Sequence, residues 1–182
     1  MKHLLSLIVA ALAIVPAAWA GEVVTSHVEH NGAHYLVNID MRVNARRDKI
    51  LALITDYAHL GRVNSAIKES RVLSHDGPHY RVRIVTRGCV LFFCKRVVHV
   101  QVVTELVNGY VVARLDPAAS DFEYGTIVWR VWHDDLGTRV NFSADLVPAF
   151  WVPPLIGPWA LKHKLIEEGQ QTINGLERLA RR

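Results

Sequence analysis

The chain has 182 residues, 51% of them hydrophobic, and a formal net charge of +4. That is enough apolar side chain for one domain with a real core. The balance is only mildly basic; with no long Lys/Arg block and no nucleic-acid motif, a nucleic-acid partner is excluded, while an anionic membrane surface stays open.

The N-terminus reads as an export signal. Lys2 starts it, Leu4 to Val15 is uncharged and apolar, and Pro16 breaks the run. Ala18-Trp19-Ala20 ahead of Gly21 has the small-x-small form that signal peptidase cuts. The apolar run falls short of the ~20 residues a spanning helix needs. No cysteine follows the cut to carry a lipid. The expectation is a cleaved signal peptide at 1–20, one domain at 21–182, and a periplasmic location.

Glu22 to His30 alternates loosely, and an Asn-Gly pair at Asn31-Gly32 marks a hairpin. From His34 to Val43 the alternation is clean, with Tyr35, Val37, Ile39, Met41 and Val43 on one face. The period then changes. Asn44 to Leu60 predicts a helix with Ile50, Leu53, Ile54, Tyr57 and Leu60 on one stripe and Asn44 as its cap. Gly61 ends it, and Arg62 to Ile67 predicts a short second helix. From Lys68 to Pro148 the chain reads as six strands joined by short turns, an antiparallel meander. Its expected apolar face carries Tyr80, Val82 and Ile84; Val98, Val100 and Val102; Val111, Ala113 and Leu115; then Ile127, Trp129 and Val131; and last Val140 and Phe142. Its wet face carries Arg81, Arg83, Gln101, Arg114 and Arg139. Pro158 opens a long last helix. Leu161, Leu165, Gly169, Ile173 and Leu176 form its stripe, and Lys164, Glu168 and Glu177 take the other side. Such a stripe must lie on something apolar, and the sheet's greasy face is the one large candidate.

The only two cysteines, Cys89 and Cys94, bracket Val90, Leu91, Phe92 and Phe93. A catalytic thiol needs a base beside it, and a zinc clip needs two more ligands. In an oxidising compartment two cysteines at hairpin spacing pair instead, so a disulfide is expected. So short a loop gains only about 2 kcal/mol from closure. The staple shapes the loop rather than holding the fold together. Leu91, Phe92, Phe93 and Trp151 are read as a membrane- or partner-touching lip, flanked by Arg87, Lys95 and Arg96. The rival reading folds the phenylalanines under the last helix as core. His27, His30 and His34 form the densest histidine set, but no fourth ligand is placed for a metal. Tyr57, Tyr80 and His133 are the polar candidates for acid-base work, each more readily read as packed or solvated. No phosphate loop and no nucleophile elbow appears. No catalytic residue, cofactor or metal is assigned.

The order strand, two helices, meander, long helix resembles the helix-grip fold of START-like proteins, the SRPBCC superfamily. The nearest likeness is to its polyketide cyclase/dehydrase and lipid-transport branch, which includes coenzyme-Q-binding proteins. Val43 to Leu73 and the Gly137-Thr138-Arg139-Val140 turn carry the resemblance, which spans the expected mature chain. It implies an α+β fold in which a curved antiparallel sheet grips the last helix, with two short helices after the first main strand. It also implies an apolar cavity for a lipid, sterol or quinone. The cavity wall is then expected from Ile39, Met41, Tyr57, Tyr80, Val82, Ile84, Val98, Val100, Val102, Val111, Ala113, Trp129, Val131, Phe142, Leu161 and Leu165. A monomeric carrier for a hydrophobic molecule fits this pattern. The alternative is a cyclase or hydrolase acting on a hydrophobic substrate in the same cavity. A weaker third reading is an interaction module.

Overall fold

The computed structural model describes residues 21–154, 156 and 158–182, so the expected signal peptide lies outside the described residues. Two strands come first, β1 (Glu22–Asn31) and β2 (His34–Val43), then the helix α1 (Arg47–Ile54). Six more follow: β3 (Ile67–Asp76), β4 (His79–Val90), β5 (Phe93–Glu105), β6 (Tyr110–Leu115), β7 (Phe122–Asp134) and β8 (Gly137–Pro148). The helix α2 (Pro158–Ala180) closes the chain. The strands make one antiparallel sheet in the order β1-β2-β8-β7-β6-β5-β4-β3. Turn chemistry explains the hairpins: Gly32 and Gly77 sit at φ of +61° and +53°, where a side chain is strained. Register shifts interrupt the β1–β2, β3–β4 and β7–β8 ladders.

This is the helix-grip architecture. The sheet curves, and α2 lies against its inner face. The tightest core joins β2, β8, α1 and the C-terminal half of α2. Met41, Val43, Ile50, Val140, Ile173 and Leu176 are fully buried there. Each such side chain stabilises the fold by roughly 1.5–3 kcal/mol. A second cluster gathers Tyr57, Val82, Ile84, Val103 and Val111 at the far side of the sheet.

Three sequence expectations are corrected. The first helix is shorter than Asn44–Leu60. It starts after Arg46, with no side-chain cap, and stops at Ile54, where the Thr55 hydroxyl donates to Leu51 O at 2.9 Å. Tyr57 and Leu60 keep helical spacing but stand on the chain beyond it. The second helix is a single 3-10 turn, Leu60–Arg62. Glu177, expected on the wet side of α2, is 4% exposed.

Candidate functional site

A hollow runs between the sheet and α2, in two lobes. The inner lobe, about 280 Å³, is walled by Ile39, Met41, Ile84, Val111, Ala113, Trp129 and Phe142, with Tyr57 at one side. The outer lobe, about 430 Å³, is walled by Val37, Val97, Phe122, Phe150 and Leu161. Asn64, Ile67, Thr86, Leu165 and Glu168 border both. Tyr80, Val82 and Val131, expected on this wall, do not line it: the two valines are in solid core and Tyr80 is half-buried beside it. Val82 and Val131 are fully buried, and Tyr80 packs on Tyr57, ring centroids 4.8 Å apart.

The phase of β5 is the main correction. Directly paired residues of an antiparallel sheet share a face. Ile84 lines the inner lobe and pairs with His99; Val82 pairs with Gln101. His99 and Gln101 therefore face the hollow. Val98, Val100 and Val102 pair with Val85, Arg83 and Arg81 and point the other way, leaving Val102 46% exposed. Valines in both phases of this strand hide its direction. The signal lay in the cysteines. Pairing Cys89 with Cys94 and counting away from them equally brings Ile84 opposite His99.

The hollow is apolar but not featureless. His99 Nδ1 and the Tyr57 hydroxyl are buried without a hydrogen-bond partner among the described residues. Burial pushes the His99 imidazole down to about 4, against the opposing pull of Asp121, so the ring is neutral. Burial likewise pushes the Tyr57 phenol above its ordinary range, and the Glu105 carboxylate adds to that. At the junction of the lobes Lys164 Nζ lies 2.9 Å from Glu168 Oε1, and this carboxylate holds the ammonium above its ordinary range. Glu168 Oε2 is buried and unpartnered among the described residues, so it can accept one hydrogen bond from a guest. These groups do not converge. Tyr57 packs on Tyr80, which pairs with Val103, four residues along β5 from His99. The Tyr57 hydroxyl and His99 Nδ1 are not hydrogen-bonded to each other. His133 is exposed in the β7–β8 hairpin.

Cys89 and Cys94 form a disulfide at the end of the β4–β5 ladder, where Cys89 borders the outer lobe. Leu91 and Phe92 make the hairpin tip, Leu91 at φ +54°, a strained setting for its side chain. Phe92 is 73% exposed and Trp151 70%. Phe93 departs from the expected lip. It lines the outer lobe, with Trp151 edge-on at 6.4 Å. The two phenylalanines thus split between tip and wall. Lys95 Nζ sits 4.7 Å over the Phe150 ring at the same opening. The histidine set is dispersed: His34 Nδ1 lies 2.7 Å from Asp145 Oδ1, and His30 stacks on Tyr35.

No family profile and no curated protein matches the sequence. Solved structures do. A START superfamily protein from Mycobacterium smegmatis superposes with a TM-score of 0.63 at 15% identity, over 80% of this chain and 97% of its own. The Zhui aromatase/cyclase from a Streptomyces species gives 0.62 at 14%, over 86% and 95%. A STAR-related lipid transfer protein from Xanthomonas axonopodis gives 0.55 at 11%, over 86% and 99%. At such identities the likeness establishes the fold, which is START-like along nearly the whole described chain.

Proposed function

We propose that this chain is an exported, periplasmic binding or carrier protein for a hydrophobic ligand such as a lipid, sterol or quinone. The observation that carries the reading is the two-lobed apolar hollow under α2. The lobes together lie well inside the ~300–1,000 Å³ typical of small-molecule sites. Each buried CH₂ of a guest contributes about 0.8 kcal/mol, so an acyl or prenyl chain binds with no polar anchor at all. The disulfide and the N-terminal signal support the periplasm. The exposed Leu91-Phe92 tip, beside Arg87 and Arg96, suits an anionic membrane surface at the opening.

The test is to purify the exported protein, extract it with organic solvent and identify the guest by mass spectrometry. A lipid, sterol or quinone should co-purify and raise the melting temperature when added back. A protein that arrives empty and melts unchanged with every such compound sinks the reading. For the lip, Leu91→Ser with Phe92→Ser should abolish flotation with anionic liposomes and leave melting unchanged. Wild-type protein that never floats removes the membrane from the proposal.

A second reading has one observation behind it. An aromatase/cyclase shares the fold, and His99, Gln101, Tyr57 and Glu168 put polar groups in the hollow. Their separation argues against a concerted acid-base pair, and binding without turnover fits better. Recovery of a chemically altered guest, lost in His99→Gln or Tyr57→Phe, would reverse that order.

A further inference from the structure

The first described residue is held unusually tightly. Gly21 N–H donates to Glu177 Oε1 at 2.8 Å, and Gln170 Nε2 donates to Gly21 O at 3.2 Å. Gly21 is buried, and only glycine fits. An added Cβ would stand 2.5 Å from Arg42 O, 2.5 Å from Ile173 Cγ2 and 2.6 Å from Glu177 Oε1. Signal peptidase asks for small residues before its cut, so the demand for glycine after the cut comes from the fold.

Glu177 is the other half. Its carboxylate is buried near the C-terminal end of α2, and its Oε1 also accepts from Asn44 N at 2.8 Å. Among the described residues its one ionic partner is Arg181, 3.4 Å from Oε2 with a side chain 75% exposed. Arg181 also donates to Oε2, but its guanidinium is open to solvent and screened there, so the buried carboxylate is only weakly compensated. In the unprocessed chain the nitrogen of Gly21 is an uncharged amide with a single N–H. Hydrolysis of the Ala20–Gly21 bond by signal peptidase consumes one water. It leaves a carboxylate on Ala20 and an amine on Gly21, which is protonated at neutral pH. The charge appears 2.8 Å from Glu177 Oε1.

We infer that Glu177 is the receptor for the chain's own processed N-terminus, so that removal of the signal completes a buried ion pair and fixes α2 on the sheet. The inference rests on the export reading above. It links export to binding physically. The residues around the pair, Ile173 on α2 and Arg42 on β2, belong to the same helix and strand that wall the hollow. In the precursor this anchor is compensated only by the exposed Arg181, and the grip on α2 is weaker until the chain has crossed the membrane.

The experiment starts from exported full-length chain, weighed intact. The mass should begin at Gly21, and any other start overturns the inference together with the assigned cleavage site. Next, one glycine is inserted between Ala20 and Gly21, so that the processed ammonium lies one residue too early. Its melting temperature should fall by roughly 5–10 °C. Glu177→Gln should lower melting by a similar amount in the normal chain and add little in the extended one. Acylation of the α-amine reads the pair without any destabilised variant: it should be slow in the native wild type and fast in urea. Normal melting of the extended chain, additive losses, or fast native acylation would each overturn the ion pair. Ligand binding and export, measured separately, would stand untouched by that failure.

Discussion

The two halves of α2 do different work. From Gly169 to Leu176 the helix passes from the edge of the inner lobe, which Gly169 and Thr172 still border, onto solid core. Gly169 meets Val23, Ile173 and Leu176 are fully buried, and a Cβ on Gly175 would stand 1.9 Å from Val63 O. From Pro158 to Glu168 the same helix spans a void, with Trp159 67% exposed and Leu161, Leu165 and Glu168 bordering the hollow. One helix is therefore anchored at its end and open at its start. Close packing is concentrated in the second half, and most of the helix's border on the hollow in the first.

The largest effect should come from the anchored half. Ile173→Ala should cost about 4 kcal/mol in urea unfolding, because close-packed neighbours leave a cavity where the side chain stood. A cost below about 1 kcal/mol would mean this half is not anchored. The hollow has its own signature in His99. Its folded pKa, about 4, lies below the ordinary value of 6.5. Between those values the unfolded chain binds the extra proton, so the contribution of a neutral His99 is whole above pH 6.5 and lost as pH falls towards 4. The loss is at most about 3 kcal/mol. His99→Gln should flatten that part of the pH profile, and an unchanged profile would mean the lobe is wet. The smallest effect on stability belongs to Leu165→Trp. The larger ring enters space that is already empty, so stability should hold within about 1 kcal/mol while the guest is excluded. Retained lipid uptake with unchanged stoichiometry would erase the distinction between the halves.

How far the residues announce this is uneven. The alternation of β2 and the Asn31-Gly32 pair placed the first hairpin, because these signals are local. The helical spacing of Leu161, Leu165, Gly169, Ile173 and Leu176 identified the face of α2 turned to the sheet, but not where the sheet falls away from it. That depends on the curvature of partners far off in sequence. Tyr57 and Leu60 mimic a longer first helix, since 3.6-residue spacing persists in the turn beyond Thr55. The β5 valines mislead for a similar reason: apolar residues on both faces leave the phase to the pairing with β4. Glu177 looks solvated on a helical wheel, because its partners, Gly21 and Asn44, are 156 and 133 residues away.

The register shifts noted in the sheet fall mostly at its two ends. β1 carries one between Val23 and Thr25, and β3 carries two, at Ile67/Glu69 and Val72/Ser74. These are the outermost strands, where bare N–H and C=O groups would template pairing with another copy of the chain. Each irregularity tilts the backbone and breaks the run of evenly spaced donors and acceptors that an incoming strand needs. Uneven margins of this kind make both edges of the sheet poor templates for an incoming strand.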